Sequence, residues 1–107
     1  MKSFDIYIAY VSWGDNGKMR PVLILEQQEA IVSIFNITTQ YEGKSHLIRA
    51  EYFIINDWKQ AGLDKPSYVD TNTIREIPIK LFYGKKEIGR LSTSDELRLI
   101  EFINQKR

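Results

Sequence analysis

The chain has 107 residues and a mass of 12.6 kDa, with 43% apolar and 27% charged residues and a net charge of +1. At that mass a folded chain exposes roughly 6,000 Å² against about 18,000 Å² unfolded, which supports one core and one domain over residues 1–107 but no second, cofactor-binding lobe. Such a composition excludes disorder, and fifteen basic against fourteen acidic residues exclude the uniformly basic surface of a protein that coats duplex nucleic acid.

Fifteen Ile, four Val and five Thr against eight Leu and four Ala lean the chain toward strands. Residues 4–11, FDIYIAYV, are the first run. The stretch 12–19, SWGDNGKM, clusters turn-formers and reads as an exposed loop. Residues 20–26, RPVLILE, and 30–37, AIVSIFNI, are the next two runs, joined tightly around Gln27–Glu29. So short a link predicts an antiparallel meander, because parallel strands need a crossover of about a dozen residues. After a second loop, TTQYEGKSH at 38–46, residues 47–55 read as one strand or two short ones. Asn56 and Asp57 then offer N-caps for a helical turn over Trp58–Ala61, closed by Gly62. SYVDT and TIREI read as two short strands ended by Pro78, and KKEIGRLS at 85–92 as a last one with a bulge at Gly89. The C-terminus predicts a helix through Asn104, with Thr93 and Glu96 as a capping box, Asp95 in the first turn, and an apolar stripe of Leu97, Ile100 and Ile103 flanked by Leu99 and Phe102. The sum is mainly β with short helices, a small curled antiparallel barrel with a helix packed on it.

The absence of cysteine removes disulfides, thiolate chemistry and Cys-based metal sites, and a lone His46 cannot build a multi-His metal centre. No phosphate-cradling or dinucleotide-binding glycine motif is present, and no metal-ligand spacing. The first residues lack the apolar core of a signal peptide, and no apolar run reaches ~20 residues, so a cytoplasmic protein without a membrane anchor is expected.

Placement is more informative than motif. Arg20 stands where the first loop meets a strand, and Thr38 and Thr39 stand where the third run opens into the second loop. If the second and third runs pair as a hairpin, Arg20 and Thr38 become neighbours at one rim. A guanidinium beside a hydroxyl suits a phosphate, since Arg offers a rigid fork of donors and Thr a directed one. The plainer alternative is a rim ion pair of Arg20 with Asp15 or Asp5, and β-branched filler at Thr38–Thr39. His46, in GKSH, is either a general acid on a loop or merely solvated. Trp13 among turn residues can stack a base, anchor a partner or cover the core. Lys85, Lys86 and Arg90 near Glu87 read as a solvated basic face.

In this order and spacing the chain resembles the MazF/PemK-type toxins. The resemblance rests on Asp5 in an alternating first strand, on Arg20-Pro21-Val22-Leu23-Ile24 and on Ile37-Thr38-Thr39-Gln40. It continues through Gly62-Leu63, Ser67-Tyr68-Val69, Thr73-Ile74-Arg75-Glu76-Ile77 and Ile88-Gly89-Arg90-Leu91-Ser92, covering about residues 4–103. It implies an SH3-like barrel, a homodimer, an antitoxin partner, and metal-independent, cofactor-free cleavage of single-stranded RNA by 2′-hydroxyl attack, leaving a 2′,3′-cyclic phosphate. In that reading Arg20 and Thr38 match the family's catalytic Arg and Thr. Trp13, Lys18, Thr39, Gln40 and Lys44 would contact the RNA. Arginine, with a pKa above about 12, is a poor base, so His46 or Asp15 would share the proton work. Two departures stand out: the family's opening Gly-Asp is Phe4-Asp5 here, and SWGDNGKM is shorter than the usual first loop. The alternative is a non-catalytic SH3-like binding module, like the gyrase-poisoning toxins that share the barrel.

Overall fold

The computed structural model describes residues 1–106. Its elements are β1 (Asp5–Trp13), β2 (Asn16–Gln27), β3 (Ile31–Thr38), α1 (His46–Arg49), β4 (Tyr52–Ile54), β5 (Tyr68–Pro78), a 3₁₀ turn (Ile79–Phe82), β6 (Gly89–Arg90) and α2 (Thr93–Gln105). The strands form one antiparallel sheet in the order β4-β5-β3-β2-β1-β6, curled into a half-barrel with α2 at its C-terminal end. The predicted meander is therefore present as β1–β2–β3. Among the described residues no helix is long and apolar enough to cross a membrane.

Successive side chains on a strand point to opposite faces, and here both faces of the central strands are covered. Ile6, Leu23, Phe35 and Ile37 meet Phe53, Val69 and Leu99 on one face. Tyr7, Ala9, Val11, Val22, Ile24, Val32 and Ile34 meet Ile77 and Phe82 on the other. This explains why FDIYIAYV and RPVLILE read as near-continuous apolar runs, as strands buried on both faces do.

The expected loop at 12–19 is instead the end of a long hairpin. The ladder continues to Trp13↔Asn16 and leaves Gly14 and Asp15 as the whole turn. Gly14 has φ +55°, a left-handed conformation that glycine takes without penalty and that suits a tight hairpin. Local turn chemistry at four adjacent residues concealed a connection that needs only two of them.

Further expectations are corrected. Residues 47–55 open with α1 rather than a strand, because Ser45 caps the helix by accepting from Ile48 N–H at 3.3 Å; only Tyr52–Ile54 is extended. SYVDT and TIREI are one strand, β5, and Trp58–Ala61 makes turns without a helix. In KKEIGRLS only Gly89–Arg90 is strand, and Gly89 marks a close crossing rather than a bulge. A Cβ there would sit 2.0 Å from the Ala61 carbonyl, and one on Gly62 would sit 2.2 Å from that of Ile88. Lys85, Lys86 and Arg90 are exposed, as a solvated face requires, and Arg90 in addition pairs with Asp5 at 3.0 Å and Glu96 at 2.7 Å.

Helix α2 is capped by Ser92, not Thr93; the Ser92 hydroxyl accepts from Asp95 N–H at 3.1 Å. Its buried face is Asp95 and Leu99, with Phe102 and Ile103 packed beside them. Of the expected stripe Ile103 and the flanking Leu99 and Phe102 pack inward, while Leu97 is 64% exposed and Ile100 42%. Asp95 sets this rotation by accepting from the backbone N–H groups of Asn56 (3.4 Å) and Asp57 (2.8 Å).

Candidate active site

On the second face of the sheet the apolar residues stop at Val22 and Ile34, and polar ones follow. Val22 pairs with Asn36, Asn36 with Asp70, and Asp70 with Tyr52, so one row across four strands carries Asn36, Asp70 and Tyr52 side by side. Directly paired residues share a face. Continuing the β2–β3 register by two residues brings Arg20 opposite Thr38, as expected of hairpin partners. Thr39 and Gln40 extend the row past the end of β3. These side chains, with Lys18, Lys44 and Ser67, line an open cavity of about 330 Å³.

Pro21 follows Arg20 and lacks a backbone donor, a residue tolerated in a strand only where no ladder bond is lost. The Arg20 guanidinium carbon lies 5.6 Å from the Trp13 ring centre, a cation–π distance. Arg20 Nε is buried without a hydrogen-bond partner. Among the described residues Arg20 makes no ion pair: Asp5 is taken by Arg90, and Asp15 sits at the hairpin tip. The rim salt bridge weighed above is therefore absent. Thr38 Oγ1 accepts from Gln40 N–H at 3.1 Å, which holds the start of the loop and leaves the hydroxyl hydrogen free to donate.

The Tyr52 phenol is pushed above its ordinary pKa, chiefly by burial and next by the Asp70 carboxylate, with Arg20 acting the other way. It is thus a neutral hydrogen-bond donor at neutral pH. Asp70 Oδ1 accepts from Asn72 N–H at 3.0 Å. Asn36 Oδ1 is buried with no partner. Lys18, Arg20 and Lys44 outnumber Asp70 in charge, so the cavity attracts anions.

The structure thus gathers Arg20, Thr38, Lys18, Thr39, Gln40 and Lys44 around one cavity. Trp13, 44% exposed, stands beside it against Arg20. His46 opens α1 and is exposed, and Asp15 is exposed at the hairpin turn; neither lines the cavity. The residues that sequence reasoning missed are Asn36, Tyr52, Ser67 and Asp70. One signal was available: Asp70 puts a charge inside a run that otherwise reads as strand.

A model of the family described as PemK-like, MazF-like toxin of type II toxin-antitoxin system matches residues 2–104. The fold is similar to that of the Mycobacterium tuberculosis toxin MazF-mt6, with TM-score 0.70 and 30% identity over 94% of this chain and 93% of that one. It is also similar to a second Mtb toxin, with TM-score 0.64 and 28% identity over 94% and 97% of the two chains. Among curated protein sequences none matches. With a family match over nearly the whole sequence, and a shared half-barrel capped by a C-terminal helix, the chain belongs to the PemK-like, MazF-like toxins of type II toxin–antitoxin systems.

Proposed function

We propose that this toxin is a metal-independent endoribonuclease that cuts single-stranded RNA, mRNA in particular, in the cytoplasm. The observation that carries the reading is the meeting of Arg20 and Thr38 in one cationic cavity of a chain belonging to this family. The cognate partner is an antitoxin protein, as membership of a type II system implies.

RNA brings its own nucleophile, so the protein's task is to position the strand and neutralise charge. The 2′-hydroxyl oxygen attacks the adjacent phosphorus, the bond from phosphorus to O5′ breaks, and the products are a 2′,3′-cyclic phosphate and a 5′-hydroxyl. Negative charge grows on the non-bridging oxygens as this proceeds. The Arg20 guanidinium is held ready to meet it, and a preorganised donor of that kind contributes more to the transition state than to the ground state. Thr38 donates its free hydroxyl hydrogen to a second phosphate oxygen. Lys18 and Lys44 hold neighbouring phosphates as point charges, and Trp13 offers a face on which a base stacks. Thr39 and Gln40 contact the nucleotide beside the cut. We also propose a homodimer.

Incubating the purified protein with a long single-stranded RNA in EDTA tests the reading. Discrete cuts ending in 2′,3′-cyclic phosphate are expected. Arg20→Ala should lower their rate by about 10²–10³, the cost of removing one preorganised donor, with an unchanged circular-dichroism melt. Intact RNA after treatment with folded wild-type protein, across several substrates, would move the protein to the class of toxins that act by binding a protein target.

A further inference from the structure

We infer that Asp70 is the general base of this site, the group that removes the proton from the attacking 2′-hydroxyl. The inference rests on the endoribonuclease reading and deepens it.

Asp70 is the one carboxylate that lines the cavity with Arg20 and Thr38. Its place is dictated by pairing rather than by a loop. It lies in the third strand of the row, opposite Asn36 of β3 on one side and Tyr52 of β4 on the other. Asn36 in turn precedes Thr38 by two residues on the same face. A carboxylate here repels the phosphate that Arg20, Lys18 and Lys44 attract, so on electrostatic grounds alone it weakens binding. A group that opposes binding yet is built into a strand paired on both sides calls for a role in the reaction.

Its two oxygens are treated differently. Oδ1 accepts from Asn72 N–H at 3.0 Å, which fixes the carboxylate plane. Oδ2 has no hydrogen-bond partner among the described residues, and Asp70 makes no ion pair there. A carboxylate anchored by one oxygen and open at the other has an oxygen left to accept a proton.

The charged and titratable groups that face Asp70 are few. β2 contributes Lys18 and Arg20, the loop after β3 contributes Lys44, and β4 contributes Tyr52, while β3 presents only uncharged Asn36 and Thr38. Glu51, in the adjoining cavity, is paired with Lys106. Tyr52 stays protonated and does not compete for the proton. The candidates that sequence alone offered, His46 and Asp15, stand outside the cavity, and a guanidinium cannot accept a proton.

The step balances as follows. Asp70 Oδ2 takes the 2′-hydroxyl proton as the O2′–P bond forms. The P–O5′ bond breaks, O5′ keeps the electron pair and takes a proton from water, and the carboxylic acid returns its proton to solvent.

The test is cleavage of an end-labelled oligoribonucleotide by full-length wild type, Asp70→Asn and Asp70→Glu, with binding measured on the same oligonucleotide carrying a 2′-deoxy sugar at the cut site. Asparagine keeps an oxygen for Asn72 N–H and leaves the fold in place, while glutamate restores the acid. Asp70→Asn should slow cleavage by about 10²–10⁴ at every cut site, the usual range for losing a general base. It should bind the 2′-deoxy strand as tightly as wild type or tighter, and lose the rise of rate with pH that accompanies carboxylate ionisation. Asp70→Glu should recover part of both the rate and the pH limb. Cleavage by Asp70→Asn within about fivefold of wild type, or cuts moved to a different sequence at full rate, would overturn the assignment, the second by making Asp70 a base-reading residue. Failure of wild type itself to cut would instead remove the nuclease reading and this step with it.

Discussion

Asp95 is fully buried, yet three donors converge on its carboxylate: the N–H groups of Asn56 and Asp57, and Arg98 Nη1 at 2.6 Å. Ser92 completes the cluster by donating to Asp57 Oδ2 at 2.7 Å. A buried charge held this way destabilises strongly when it is removed, because its donors are left without acceptors. Asp95→Ala should therefore lower unfolding free energy by about 3 kcal/mol in a urea titration, and Asp95→Asn by about 1–2 kcal/mol, since the amide oxygen still accepts. Equal losses for both would show that the charge and not the acceptor is what matters. At this scale the sequence was legible where chemistry is local. Arg20 and Thr38 were placed at one cavity because a short hairpin brings their strand ends together. Asp70 and Tyr52 were not, because they reach it only through the pairings of β5 with β3 and β4, which no local pattern specifies. The cap of α2 shows the same limit: Ser92, Thr93 and Ser94 are all acceptable caps, and the tie of Asp57 to Ser92 chooses among them.

The three meander strands were found from their apolar runs, with the ends misplaced where turn residues continued the ladder. Strand β5 was split in two because its exposed stretch, Asn72–Glu76, carries no apolar alternation. Helix α2 was found in place and misread in rotation. An isolated stripe at 97, 100 and 103 satisfies helical spacing as well as 95, 99, 102 and 103 does, and only the anchoring of Asp95 decides between them. The outcome leaves Leu97 and Ile100 on the outer side of α2 with apolar surface in water. If the proposed homodimer uses this face, sedimentation equilibrium of the wild type should give twice the chain mass, and Leu97→Glu with Ile100→Glu should shift it to monomer without unfolding it. A dimer that survives both charges would place the contact elsewhere.

Over the whole molecule, one buried phenol, Tyr7, and one half-buried phenol, Tyr52, tie stability to alkaline pH. Tyr7 is raised above its usual pKa by burial first, then by the nearby Glu87 and Asp5 carboxylates, and its ring meets Phe82 edge-on at 5.5 Å. Tyr52 is raised for similar reasons. A phenol whose folded pKa exceeds the unfolded value of about 10 stabilises fully below that pH, and the benefit is lost as pH climbs toward the folded value. Lys106, lowered by burial, contributes the opposite slope just below its ordinary pKa, so the comparison has to be made between variants. The stability difference between wild type and Tyr7→Phe should be constant to about pH 9 and shrink above about pH 10, as followed by denaturant titration. A difference that does not change with pH would place the Tyr7 hydroxyl in water.

The order of the strands along the chain also sets the order in which the cavity is made during synthesis. Arg20 and Thr38 belong to β2 and β3, neighbours in sequence that can pair as soon as they leave the ribosome. Tyr52 and Asp70 arrive only with β4 and β5, and α2, which closes the first face of the sheet over Ile6 and Leu23, comes last. A nascent chain that stops before β5 displays the cationic half of the cavity without its carboxylate, and with one apolar face of the meander uncovered. The cell that translates this toxin therefore meets the cationic half of the site before it meets the carboxylate.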